Sequence, residues 1–169
     1  MANADIVYNR ALQGTLNNPG LPDTLAQLVV GQSQDESANF TSPVFAATNN
    51  GFGYKYSGSS YQHGDYEGYA KYDNLDDSTA EVVDYIYRRV ADGSFPQDLT
   101  TITTPDQYAT LLANAKPGPY YGVPEQQYAS GIASYFQTNV LQPLQENPSL
   151  GVLILVGIAF VGYLIAKRK

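Results

Sequence analysis

Apolar residues at helical spacing divide the first part of the chain into two predicted helices. Residues 3–13 form the first, with Asn3 as N-cap and Gly14 as the residue that ends it. Pro22 opens the second, whose apolar positions continue at the same spacing as far as Glu36. The pattern then breaks, and we expect a loop over residues 37–56.

The middle of the chain has a different pattern, in which glycines alternate with tyrosines. Residues 54–74 are predicted to form a β-hairpin or small β-lobe. Helical spacing then returns. We expect a capping box at Ser78–Glu81, a second cap at Thr104–Gln107 and a last helix from Glu125 to about Leu141. These elements predict an α+β fold in which helices dominate.

The C-terminal part is predicted to be a membrane anchor. Residues 150–166 are 17 residues without a charge, and at roughly 1.5 Å per residue they span about 25 Å. A basic tail, residues 167–169, follows, and residues 139–149 contain two prolines and are expected to be a linker. A buried core helix is the alternative, although a core helix rarely lacks a polar face throughout.

The N-terminus shows no secretory signal pattern, because residues 1–30 lack an apolar core region. The basic tail favours an orientation with the domain outside the membrane, yet nothing evident carries the domain across. A membrane-containing phage virion, assembled inside a cell and delivering the domain later, would remove this conflict. A bacterial inner membrane, with the domain facing the wall, is the other localisation considered.

Composition narrows the possible chemistry. The 169 residues carry 16 acidic and 9 basic side chains, a net charge of -7, which argues against a nucleic-acid-binding face. Cysteine is absent and His63 is the only histidine, so neither a metal site nor a cofactor is predicted. The 15 tyrosines suit a polar ring-shaped ligand such as a sugar, and they also suit ordinary amphipathic packing.

Glu36 is the best candidate for acid chemistry. It follows Leu25 by 11 positions, which at about 100° per residue brings it to within roughly 20° of the apolar stripe. Apolar surroundings and a helix C-terminus both disfavour a charged carboxylate. Such a carboxyl can stay protonated and give its proton to a leaving oxygen. An exposed glutamate at a frayed helix end is the alternative.

Two acids of the predicted β-lobe are candidates for a second catalytic carboxylate. Asp65 or Glu67 would hold a water molecule or stabilise positive charge on a sugar. Solubility of the hairpin explains both residues equally well.

Several segments together resemble the bacterial and phage glucosaminidases that cut peptidoglycan. That family has a helix ending in Ala/Ser-Xaa-Xaa-Glu-Ser/Thr and then a loop with Asn-Asn-Xaa-Phe-Gly-Xaa-Lys. The matching residues here are Gln32–Ser37 and Asn49–Tyr56, with further similarity at residues 39–42, 72–78, 108–112 and 128–129.

The resemblance implies a lysozyme-like fold for residues 1–138 and hydrolysis of the β-1,4 bond after N-acetylglucosamine. Glu36 would be the general acid. A tyrosine that lines the family's cleft corresponds to Tyr120 or Tyr121, although the aspartate that normally follows is missing. The residues expected to bind the sugar are Asn50, Phe52, Gly53, Tyr54, Lys55 and Tyr120, and Tyr121 joins the catalytic candidates.

The resulting expectation is a membrane-anchored peptidoglycan hydrolase. Its partners would be glycan strands, a lipid bilayer through residues 150–166 and other virion proteins. A lytic transglycosylase shares the fold and a lone catalytic glutamate, although the Gly-Leu-Met-Gln element of many such enzymes is absent. A wall-binding or structural protein that has lost catalysis is the non-enzyme alternative.

Overall fold

The computed structural model describes residues 2–114 and 124–136. Helices dominate and a small antiparallel sheet accompanies them, which confirms the α+β class. The elements in chain order are α1 Asn3–Gln13, α2 Asp23–Glu36, α3 Pro43–Thr48, β1 Asp65–Tyr66, β2 Tyr69–Ala70, α4 Leu75–Ala91, a 3₁₀ turn Leu99–Thr101, α5 Pro105–Ala113 and α6 Glu125–Phe136.

The predicted linker, anchor and basic tail, residues 139–169, lie outside the described residues. Within residues 2–114 and 124–136, no helix combines the length and the hydrophobicity needed to cross a bilayer.

Helix α2 is central to the helical body, because it packs against α1, α5 and α6. Helix α4 packs against α1, and Arg10 of α1 forms an ion pair with Asp76 of α4. The residues buried from α2 include Leu25, Leu28 and Val29, as their helical spacing predicts. Helix α2 therefore contacts three neighbouring helices.

The helix ends show where local signals succeed and fail. The cap at Thr104 is confirmed, since its hydroxyl accepts the Gln107 N–H at 3.2 Å. Asn3 is not the N-cap of α1, because Ala2 has that position. The predicted capping box at Ser78–Glu81 is wrong. Helix α4 begins at Leu75, because Asn74 accepts the Asp77 N–H at 2.9 Å one turn earlier.

The predicted loop over residues 37–56 contains a short helix. Ser42 accepts the N–H of Phe45 at 3.1 Å, and Pro43 begins α3 with its φ already suited to a helix. The Ser-Pro pair is therefore the feature of the sequence that indicates the start of α3. Helix α3 ends at Thr48, and its C-cap residue Asn49 has a left-handed φ of 54°.

The predicted hairpin is confirmed. Asp65 pairs with Ala70 and Tyr66 with Tyr69. The two residues of the turn, Glu67 and Gly68, have φ values of 53° and 79°, the positive angles that a type I′ turn requires.

The backbone of residues 54–56 adds to this hairpin and connects it to the rest of the domain. The N–H of Ala70 donates to the Tyr54 carbonyl at 2.9 Å, and the N–H of Tyr56 donates to the Gly68 carbonyl at 3.0 Å. The segment after α3 is thereby held against the edge of the hairpin.

A buried polar cluster joins the β-lobe to α4. Glu81, which is 6% exposed, accepts a hydrogen bond from the Tyr72 hydroxyl at 2.7 Å and from the Gln62 amide at 3.1 Å. The carbonyl oxygen of the Gln62 side chain accepts the N–H groups of Ser57 and Gly58. This cluster fixes the loop of the lobe to the helical body.

Candidate functional site

The turn after α2 sets the position of Glu36. Ala38, Asn39 and Phe40 follow with left-handed φ values of 51°, 55° and 63°. Such angles cost about 1–2 kcal/mol per residue for side chains with a Cβ. Ser37 supports them, because its buried hydroxyl donates to the Ser33 carbonyl at 2.6 Å and accepts the Phe40 N–H at 2.9 Å. The serine of the Glu-Ser pair therefore holds a strained turn directly beside the candidate acid.

The carboxyl group of Glu36 is partly buried and has a phenol for a neighbour. The hydroxyl of Tyr128, on α6, donates to Oε1 of Glu36 at 2.9 Å. Burial raises the pKa of Glu36, the hydrogen bond from Tyr128 partly opposes this, and the charge of Asp35 adds to it. Glu36 is therefore a carboxyl group whose proton is held more tightly than that of an exposed glutamate.

Helices α2 and α6 approach closely through two glycines. A Cβ on Gly31 would lie 3.0 Å from the Ile132 carbonyl oxygen. A Cβ on Gly131 would lie 2.4 to 2.6 Å from the carboxyl atoms of Asp35. Because neither glycine carries a side chain, the helices come near enough for Tyr128 to reach Glu36.

A second tyrosine lies behind the first. Tyr108, on α5, is fully buried and donates to Oε1 of Gln32 at 2.6 Å. Burial raises the pKa of Tyr108 well above its usual value, and electrostatic repulsion from Tyr54, Tyr85 and Glu36 adds to this effect. Both phenols therefore stay neutral and act as hydrogen-bond donors.

The Asn-Asn-Gly-Phe-Gly loop lies beside Glu36, and its two asparagines hold it there. The amide of Asn49 donates to the carbonyls of Tyr72 and Asp73, each at 3.1 Å. The amide of Asn50, which is 2% exposed, donates to the carbonyls of Tyr54 and Ala70. These bonds tie the loop to the hairpin and to the start of α4.

Gly53 is the residue of this loop that contacts the acid. It has a left-handed φ of 64°, and a Cβ at this position would lie 3.0 Å from Oε2 of Glu36. Glycine satisfies the backbone angle and leaves room beside the carboxyl group. The other glycine, Gly51, packs closely on Ser33 and Leu75.

The other residues predicted to bind sugar have different surroundings. Phe52 is 1% exposed and belongs to the core, and the Asn50 side chain is fully used in holding backbone groups. Tyr54 is half-buried. Lys55 is exposed, and its ammonium group lies 3.2 Å from the centre of the Tyr69 ring.

The predicted second carboxylates are exposed on the hairpin. Asp65 accepts the Gly68 N–H at 3.3 Å, and Glu67 lies in the turn itself. Within the described residues, neither forms a hydrogen bond or ion pair with Glu36. Tyr120 and Tyr121 lie outside the described residues.

Two members of the site were not singled out for a role by the sequence. Tyr128 belongs to the apolar face of α6, which predicted burial but no contact with a carboxyl group. Asp35 precedes Glu36 and lies half-buried against α6. No local pattern in the sequence indicates that Asp35 lies against Gly131.

No protein-family model, curated protein or solved structure matches this chain. In residues 2–114 and 124–136, no group of three or more His, Asp or Glu side chains is placed to hold a metal ion.

Proposed function

We propose that the chain is a peptidoglycan hydrolase that cleaves the β-1,4 bond after N-acetylglucosamine, with Glu36 as general acid. The observation that carries this proposal is the environment of the Glu36 carboxyl group. It is partly buried, it has the Tyr128 hydroxyl on one oxygen and the bare backbone of Gly53 beside the other, and its pKa is raised. A carboxyl group tuned in this way suits proton donation to a glycosidic oxygen.

In the proposed reaction, Glu36 gives its proton to the bridging oxygen as the bond from that oxygen to the sugar's C1 breaks. Positive charge develops at C1, and water finally adds there. The proton released by that water returns to the Glu36 carboxylate, so the acid is restored. The Tyr128 hydroxyl stabilises the carboxylate in the interval, because it donates to Oε1.

The exposed positions of Asp65 and Glu67 favour a route in which the substrate supplies the second group. The N-acetyl group of the sugar would then stabilise the charge at C1, which some glycosidases exploit. The same observation supports a second candidate function, a lytic transglycosylase, because that reaction needs only one carboxyl group. The two differ in their products: mass spectrometry of digested peptidoglycan detects either an added water or an anhydro-sugar end.

We further propose the lysozyme-like fold for residues 1–138 and anchoring of the chain in a bilayer through residues 150–166. The uncharged stretch followed by a basic tail supports the anchor. Location in a phage virion membrane would explain an acidic domain that has to meet the wall from outside. Treating intact particles with protease tests this arrangement, and protection of the domain would count against it.

Glu36→Gln tests the assigned acid. The amide keeps the size of the side chain but has no proton to give, so we expect loss of glycan cleavage by roughly 100- to 10,000-fold. The measurement is clearing of a peptidoglycan gel, supported by dye release in solution.

The matched control replaces the exposed acids, with Asp65→Asn and Glu67→Gln combined. In the substrate-assisted route this double variant keeps near-parental activity. Equal clearing by Glu36→Gln and the parent would reject the assigned acid, and no clearing by any variant would favour a binding or structural protein.

A further inference from the structure

One edge of the β-lobe carries backbone groups that the lobe itself does not use. The segment 54–56 forms a bridge with β2, in which Lys55 lies opposite Tyr69. The two hydrogen bonds of this bridge use the Tyr54 carbonyl and the Tyr56 N–H, so these groups point towards β2. Successive residues of an extended segment direct their N–H and C=O groups to opposite sides. The N–H and C=O of Lys55 therefore point away from β2, at the outer edge.

This outer edge is open at Lys55 and closed shortly after it. Among the described residues, no group forms a hydrogen bond with the backbone N–H or C=O of Lys55, and the residue is exposed. The N–H groups of Ser57 and Gly58, by contrast, donate to the Gln62 side chain at 2.8 and 3.1 Å. The open edge therefore offers one donor and one acceptor on the same side of the chain.

The open edge lies close to the candidate acid along the chain. Gly53, whose backbone lies beside Oε2 of Glu36, precedes Lys55 by two residues. Two residues of extended chain span at most about 7 Å. A polymer that is held at Lys55 by a side branch can therefore have its main chain near Glu36.

The side chain of Lys55 adds a positive charge to this edge. Its ammonium group lies 3.2 Å from the centre of the Tyr69 ring. The ion pairs among the described residues involve Arg10, His63 and Arg89 as the basic partners, and Lys55 belongs to none of them. On a chain with a net charge of -7, an exposed cation without a carboxylate partner suits an anionic ligand.

We propose that the open edge at Lys55 binds the stem peptide of peptidoglycan as an added extended strand. This inference rests on the proposed function and names a part of the substrate beyond the glycan. The L-alanine that begins a stem lies between two amides, so in an extended conformation it presents its own N–H and C=O on one side, as strand addition requires. The carboxylates of the stem complement the Lys55 ammonium group. A single N-acetyl group fits the open edge less well, because its N–H and C=O point in opposite directions.

Replacement of Lys55 by proline tests the backbone contact. Lys55→Pro removes an N–H that the lobe does not use, and proline is tolerated at such edge positions. Lys55→Ala is the matched control, because it also removes the ammonium group but keeps the N–H.

The measurement is the KM of the full-length chain for glycan strands that carry stem peptides and for strands from which an amidase has removed them. The ratio of the two KM values gives the preference for stems. We expect this preference to be roughly two- to tenfold smaller in Lys55→Pro than in Lys55→Ala, as the loss of one hydrogen bond predicts. Equal preferences in the two variants would overturn the proposal.

The parental chain provides a second measurement if Lys55→Pro does not fold. The soluble peptide N-acetyl-L-Ala-γ-D-Glu-L-Lys-D-Ala is added at millimolar concentration, and backbone amides are followed by NMR. We expect the Lys55 amide signal to shift and its hydrogen exchange to slow, while the Ser57 amide, already bonded to Gln62, changes less. An unchanged Lys55 amide would reject the binding of the stem.

The two measurements separate this inference from the proposed function. An inactive parent whose Lys55 amide responds to the peptide would reject the hydrolase alone. An active parent whose Lys55 amide does not respond, and whose preference for stems is the same in both variants, would reject the stem site alone.

Discussion

The domain holds two glutamates with tyrosine partners, and they differ in how completely they are hydrogen-bonded. Glu81 accepts the Tyr72 hydroxyl at 2.7 Å and the Gln62 amide on both oxygens at 3.1 Å. Glu36 accepts only the Tyr128 hydroxyl among the described residues, at 2.9 Å. Both oxygens of Glu81 therefore accept hydrogen bonds, whereas Oε2 of Glu36 lies beside the backbone of Gly53.

This difference fits a structural role for Glu81 and the proposed chemical role for Glu36. Donors on both oxygens stabilise Glu81 as a fixed acceptor that joins the β-lobe to α4. A reacting carboxyl group needs an oxygen that is not already hydrogen-bonded, and among the described residues no donor binds Oε2 of Glu36, which lies beside Gly53. Burial without full hydrogen bonding is also what raises the pKa of Glu36.

Truncation of the structural glutamate has the largest expected effect on folding. Glu81→Ala leaves the Tyr72 hydroxyl and the Gln62 amide buried without their acceptor. We expect the free energy of unfolding to fall by about 2–4 kcal/mol, measured by urea denaturation.

The stability of Glu36→Gln, measured in the same way, is the control for Glu81→Ala. The folded-state pKa of Glu36 is raised, so the parent loses stability as the pH rises above the ordinary glutamate value of 4.5. The amide removes this loss, and the variant should be at least as stable as the parent at neutral pH. A large destabilisation by Glu36→Gln, with none by Glu81→Ala, would reverse the assigned roles.

Removal of the Tyr128 hydroxyl should change the pH profile more than the fold. That hydroxyl donates to Glu36 and favours its charged form, so Tyr128→Phe raises the pKa of Glu36 further. The alkaline limb of the cleavage rate should move to higher pH, while the rate at low pH falls by less than about tenfold. A shift of that limb to lower pH would contradict this role of Tyr128.

The smallest effect is expected at Gly53, and Gly58 offers a close control. Both have left-handed φ values, 64° and 74°, but only Gly53 has the Glu36 carboxyl group beside it. Alanine at either position should lower the free energy of unfolding by about 1–2 kcal/mol through backbone strain. Only Gly53→Ala should also lower the cleavage rate, and equal rates in the two variants would remove Gly53 from the site.

Local patterns in the sequence predict much of the fold. Apolar spacing identified α2 and the later helices, and the alternation of glycine and tyrosine identified the hairpin. Two errors were at the starts of α1 and α4, and the short helix α3 was not predicted. At α4, the sequence contains both an N-cap residue at Asn74 and a possible capping box that begins at Ser78. The helix begins at Leu75, after Asn74, because Leu75 packs into the core.

The site was predictable only in part, since its contacts connect distant parts of the chain. Glu36 was identified by the helical spacing of apolar residues and by its position at the helix C-terminus, because both can be read from the sequence of α2 alone. Its partner Tyr128 is 92 residues away, and no local pattern indicates which tyrosine reaches it. The packing of Asp35 on Gly131 depends on how α2 and α6 cross, so it was equally inaccessible.

The long separation between Glu36 and Tyr128 also affects when the site is completed. Synthesis proceeds from the N-terminal side, so a nascent chain that ends between Glu36 and Tyr128 carries the glutamate without its phenol donor. The pairing of α2 with α6 joins an early segment to a late one. A partly translated copy therefore lacks the hydrogen bond from Tyr128 to Glu36, and this pair forms only after α6 has been synthesised.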